Sequence, residues 1–188
     1  MGGWSGYWRT VREAGRDHRL FVPRARCESC ATTHALLPAF CLTNRLCDTE
    51  TIGAVIDEVI SGPGGVRPAA RRHGVIHETA RGWVRRFRRR AADLAARFAA
   101  LVVELGGDVL QPVEDLAAYA LFVMRAAFAR ASALSGWAAL GLFGFTSVMS
   151  GGRLIAANTT SPYLVIGRRR FMPPVRKDAE KNGGRDGP

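Results

Sequence analysis

A mainly α fold is predicted for this chain of 188 residues, with a short β-hairpin at the N-terminus, a trihelical helix-turn-helix in the middle and a helical C-terminal region. Three observations carry the prediction. Apolar residues recur at helical spacing through most of residues 50–131, whereas residues 7–22 alternate instead. Between Val66 and Arg90 the sequence VRPAARRHGVIHETARGWVRRFRRR holds two helical stripes on either side of Gly74. The segment boundaries expected from these shifts are 1–47, 50–91, 92–172 and a disordered basic tail over 173–188.

Taken in order, Tyr7–Val11 and the alternating Arg19-Leu20-Phe21-Val22 predict a hairpin turning near Gly15-Arg16-Asp17, with Pro23 ending or bending its second strand. So small a hairpin has too little apolar surface to be stable alone, and poor order is expected unless something staples it. Ile52, Val55, Ile56, Val59 and Ile60 then form one face of a first helix, and Ser61-Gly62-Pro63-Gly64-Gly65 is a loop. Val66, Ala69 and Ala70, with His73 as a further candidate, pack a short second helix. Gly74-Val75 supplies the tight turn, because glycine reaches positive φ without a Cβ clash.

In the third helix Ile76, Ala80, Trp83, Val84 and Phe87 fall on one stripe when residues advance by about 100° each, so that stripe is expected to be buried. Ile76 stands where Ser or Thr would cap the helix, so its start is expected to shift by a residue or two. Opposite the stripe lie Glu78, Arg81, Gly82, Arg85 and Arg89. The segment 66–90 carries nine arginines against one acid, Glu78. A folded element this basic is suited to nucleic acid. A guanidinium can bond the O6 and N7 of guanine together, which assigns base reading to Arg81 and Arg85. Arg71, Arg72, Arg86, Arg88 and Arg90 lie off the central face and suit phosphates. The candidate DNA-binding residues are Arg71, Arg72, His77, Glu78, Thr79, Arg81, Gly82, Arg85, Arg86 and Arg89. The plainer alternative is a solvated basic helix in a bundle.

After Arg90, Leu94, Phe98, Leu101, Val102 and Leu105 mark a helix that Gly106-Gly107 ends. A further helix is expected from Pro112 to about Ala131, with Leu116, Tyr119, Ala120, Val123 and Ala127 on one side. Ala131–Gly152 is uncharged for 22 residues, but its serines, threonines and glycines favour a buried helix with a loop near Gly144–Gly152 over a membrane span. Asn158–Pro162 reads as a loop, and Arg168-Arg169-Arg170 heads the Pro- and Gly-rich tail that begins at about Pro173.

Net charge is +11, from 25 arginines and two lysines opposed by 16 acids, a balance that suits a polyanionic partner. The arginine preference also tracks GC-rich coding. Four clustered cysteines do not resemble an extracellular disulfide framework, and Met1 is not followed by a signal sequence, so the cytoplasm is the expected location.

The stretch AARRHGVIHETARGWVRRF resembles the helix-turn-helix of bacterial transposase-related proteins, in which a small-residue pair, Gly-Val, Thr and Trp recur at these intervals. Residues 7–40, YWRTVREAGRDHRLFVPRARCESCATTHALLPAF, resemble the zinc-ribbon-like N-terminal region of uncharacterised bacterial helix-turn-helix proteins. Together the two cover about the first half of the chain. Cys27 and Cys30 have the spacing of one zinc knuckle. The resemblance implies a second Cys-x2-Cys upstream, in a stretch that would lie before Met1, so the chain looks N-terminally truncated and the Zn²⁺ site incomplete. His34, Cys41 and Cys47 are the nearby substitutes, although Cys27-x2-Cys30-x3-His34-x6-Cys41 is not a standard knuckle. Reduced, partly buried thiols are the alternative.

Transposases with such N-terminal modules cut DNA with three carboxylates and two Mg²⁺ ions. Here Asp93, Glu104, Asp108, Glu114 and Asp115 are followed by no acid until Asp178, and the roughly 95 residues left are too few for an integrase-like core. The expected protein is therefore not an enzyme. It is a sequence-specific binder of double-stranded DNA, regulatory or transposase-related. The other readings are a non-catalytic remnant of an insertion-element transposase and a membrane-associated or structural helical protein. One helix in one groove is a small interface, so a homodimer through the helices after Leu94 is expected.

Overall fold

Ala14 and Gly15, with φ of 46° and 79°, close the N-terminal hairpin as a two-residue turn whose twist matches that of paired strands. The computed structural model describes residues 2–28, 31–42, 44–134, 136–151, 154, 165–166 and 169–170. The turn joins β1 (Gly2–Glu13) to β2 (Arg16–Arg26), paired antiparallel from Glu13↔Arg16 to Gly2↔Arg26 with a shift between Gly3 and Ser5. A third strand, β3 (Thr33–Ala35), pairs with Arg24–Arg26 of β2, so the order is β1-β2-β3. The hairpin is longer and more regular than the sequence predicts. Pro23 neither ends nor bends it out of register, since it stays opposite Gly6 and its carbonyl accepts from Leu36 N at 2.8 Å.

The sheet is held by the rest of the chain. Val11 and Val22 are buried, Arg12 N donates to Leu46 O at 2.8 Å, and Asp48 N donates to Arg12 O at 3.0 Å. The expectation of a poorly ordered hairpin overlooked these long-range ties.

Five helices follow. Asp48 accepts from Thr51 N and caps α1 (Thr49–Ser61), which buries Ile52, Val55 and Ile56 as predicted. Next come α2 (Val66–Arg72), with Ala69 and Ala70 buried, and α3 (His77–Glu104), a single helix of 28 residues. Residue 91, where a segment boundary is expected, lies inside this helix, because Arg88-Arg89-Arg90 contains no helix terminator and Ala91, Leu94, Ala95 and Phe98 continue the buried stripe of Ala80, Trp83, Val84 and Phe87. Asp115 caps α4 (Leu116–Ser132) through Ala117 N and Ala118 N. Tyr119, Ala120, Val123 and Ala127 of that helix are buried, but Leu116 is exposed because it opens the first turn.

A 3₁₀ turn (Ala138–Leu140) leads into α5 (Gly141–Met149), which runs on through the start of the loop expected near Gly144–Gly152. The N-terminus of α5 is capped from far away, since Glu50 Oε1 of α1 accepts from Phe143 N at 2.9 Å and Gly144 N at 2.8 Å. Phe145 packs its ring edge-on to Phe98 and Trp137 and tilted against Phe128, so α3, α4 and α5 share one core with α1 and α2. Beyond it, β4 (Val165–Ile166) pairs antiparallel with β5 (Arg169–Arg170), inside the range expected to be helical. The predicted loop at 158–162 and tail from 173 lie outside the described residues. No helix of the described residues is long and apolar enough to cross a membrane.

Candidate nucleic-acid interface

Helices α2 and α3 are joined by His73–Ile76, a four-residue connection that turns at Gly74 with φ 61°. Val75 N donates to Ala70 O at 2.8 Å and tightens the corner, while buried Ala70 leaves room for the two helices to approach. The start of α3 does not shift, because Ile76 itself is the N-cap, with no side-chain hydrogen bond. Ile76 also leaves the buried stripe and is 74% exposed. It precedes the first turn, so the helical angle that places the other four residues inward does not apply to it.

Opposite Trp83 and Phe87, the predicted polar face stands in solvent. Glu78, Thr79, Arg81, Arg85 and Arg89 are exposed, and Gly82 is half-buried beneath Arg86, whose Nη1 would lie 3.0 Å from a Cβ added at that position. Arg81 reaches Glu78 only at 3.9 Å, and the His77 ring contacts the same carboxylate at 3.2 Å. These are surface contacts of little energy, and they leave the arginines available. Arg85 and Arg89 make no salt bridge among the described residues.

Off the central face the candidates part company. Arg71 is exposed at the end of α2. Arg72 is ion-paired within the fold: its guanidinium bonds Glu58 of α1, with Nε at 2.6 Å from Oε1, and His73 Nε2 holds the other oxygen at 2.9 Å. Glu58 therefore anchors α2 to α1, a role that sequence periodicity does not signal. Arg86 is half-buried, and its charge, after burial, depresses the pKa of Arg45 in the segment before α1.

At the sheet, the Cys27 end of β2 leads into the turn to β3. Cys27 N donates to Thr32 O at 2.9 Å, and Ala31 takes a φ of 54°. Cys30 lies outside the described residues. Cys41 is 1% exposed and pairs with Asp48 in an isolated β-bridge, and burial pushes its thiol up to about 11. Burial raises the Cys47 thiol too, and His34 lies in β3 opposite Ala25, facing a groove on the sheet. No group of three or more His, Cys, Asp or Glu suited to a metal occurs among the described residues, which do not include Cys30.

Residues 4–73 match a domain of unknown function, DUF6431, a stretch of 70 residues that takes in the sheet, α1 and α2 and stops short of α3. No curated protein and no solved structure shows significant similarity to the chain.

Proposed function

We propose that this chain binds double-stranded DNA in a sequence-dependent way, as a regulatory or transposase-related protein without catalytic activity, with α2 and α3 acting as a helix-turn-helix. The observation that carries the reading is the exposed stripe of Arg81, Arg85 and Arg89 on the first half of a helix whose opposite side is buried. Six arginines between Arg81 and Arg90 face one acid, Glu78, so the surface attracts polyanions, and the helix holds its side chains at groove-reading spacing. Arg81 and Arg85 read bases in this proposal, while Arg71, Arg86 and Arg88 meet phosphates. A homodimer through the C-terminal helices would present two such helices to a palindromic site.

The test is selection from a random duplex pool at two salt concentrations, followed by affinities of variants for the selected site and for random duplex. Arg85→Ala is expected to weaken the selected site by about 5- to 150-fold, the equivalent of roughly 1–3 kcal/mol for a bidentate arginine–guanine pair, with relaxed preference at one base pair. Arg71→Ala is expected to weaken both duplexes by one common factor. Equal losses on both duplexes for Arg85→Ala would remove base reading from α3.

A further inference from the structure

On one face of the N-terminal sheet lies a groove of about 550 Å³ whose lining includes Tyr7, Arg9, Arg24, His34, Asn44 and Arg45 and, among the described residues, holds no carboxylate. Its charge is not neutralised locally. Arg9 spends its donors on the neutral carbonyls of Leu42 and Arg45, which leave the charge in place. Arg45 donates from Nη1 to the carbonyl of Asn44, but its Nε is buried without a hydrogen-bond partner, an arrangement that costs about 1–3 kcal/mol when nothing answers it. Arg24 and Asn44 are exposed at the rim, so the groove opens to solvent. Converging guanidiniums without a counter-charge suit a tetrahedral oxyanion, which can accept from several N–H groups at once.

Arg45 also feels the charge of Arg86, so the groove lies near α3. That proximity favours an anion of extended backbone over a small free one. We propose that this groove holds phosphates of the DNA backbone, making the sheet a second contact surface beside α3. The proposal rests on the DNA-binding reading above, but it assigns residues that lie outside the helices.

The experiment measures duplex affinity of the full chain as a function of salt for the unaltered protein and for Arg24→Gln, Arg24→Lys and Arg85→Gln, with thermal melts confirming that each is folded. Arg24 is exposed, so its replacement is not expected to disturb the core. Each phosphate contact contributes about 0.9 to the slope of log affinity against log salt. Arg24→Gln is expected to lower the slope by about that amount with the same fold-loss on every sequence, and Arg24→Lys to keep it. A second readout follows the backbone amides of residues 33–37 and 44–46 by NMR on addition of duplex or of inorganic phosphate alone. Shifts with duplex support the proposal. An unchanged slope and unmoved amides in a chain that still binds duplex through Arg85 would overturn the groove and leave the α3 reading standing. A slope that falls with Arg24→Gln while Arg85→Gln leaves both affinity and base preference unchanged would keep the groove and remove α3. Shifts with inorganic phosphate in a chain that binds no duplex, or retention on anionic vesicles but not on duplex, would overturn the DNA assignment.

Discussion

Replacing Glu50 by alanine removes the only side chain seen to cap α5. The carboxylate accepts two backbone N–H groups, Phe143 N at 2.9 Å and Gly144 N at 2.8 Å, and α5 has no cap from its own N-terminal residues among those described. Loss of a helix cap costs about 0.5–2 kcal/mol, and the exposure of Glu50 places this one near the middle, at about 1 kcal/mol. For a chain of this size that is a fall of roughly 2–4 °C in Tm. Glu50→Gln keeps an acceptor and loses only the attraction of a negative charge for the helix N-terminus, about 0.3–1 kcal/mol, so it should fall between the two. Urea unfolding gives the free energies, and hydrogen exchange at Phe143 and Gly144 gives the local effect. If Glu50→Ala matches the unaltered protein within about 0.3 kcal/mol and exchange at both amides is unchanged, the link between α1 and α5 does not exist in solution.

Gly53→Ala should destabilise despite gaining about 1 kcal/mol of helix propensity, because the new Cβ would sit 2.0 Å from Cγ of Phe143, and overpacking a core costs about 1–3 kcal/mol. A more stable variant in urea would refute this, and trimming the ring with Phe143→Leu should recover part of the loss. Cys41, with its thiol raised from 9.0 to about 11, remains protonated in the fold while the unfolded chain ionises. Stability should therefore fall as pH rises from about 9 to 11, by about 2–3 kcal/mol at most, and Cys41→Ala should show a shallower decline over that window in pH-dependent unfolding. Glu58→Gln releases Arg72 from its ion pair at small cost in stability and should steepen the salt dependence of duplex binding; an unaltered slope would mean that Arg72 does not reach DNA in either state.

The helical stripes were legible because burial repeats with the turn of the helix. Ile52, Val55 and Ile56, then Ala80, Trp83, Val84 and Phe87, are buried as their spacing requires. The errors fall at element ends and at distance. Ile76 and Leu116 are exposed because a residue at a helix terminus lacks the neighbouring turn that would cover it. The segment boundary expected at residue 91 falls inside α3, because a shift in composition does not stop a helix when no Gly, Pro or cap intervenes. Strand β3 has three residues, too few for a period, and becomes a strand only because Arg24–Arg26 offers an edge. The basic groove brings Arg9, Arg24 and Arg45 together from three places, and the cap on α5 joins Glu50 to Phe143, and neither leaves a local pattern.

The continuity of α3 bears directly on the proposed recognition. Residues Arg81 to Arg90 would form a poor helix in isolation, since like charges three and four residues apart repel and a helix of this length is marginal in water. Here the same helix runs on to Glu104 and buries Leu94, Phe98, Leu101 and Val102 in the core shared with α4, so the repulsion is overcome by packing outside the charged half. The arginine face is then ordered before any ligand arrives. Binding need not supply the entropy of folding that half-helix, and more of the contact energy appears as affinity and base discrimination. The C-terminal helices therefore have a physical role that requires no contact with a ligand: by packing the second half of α3 they support the helical form of its first half.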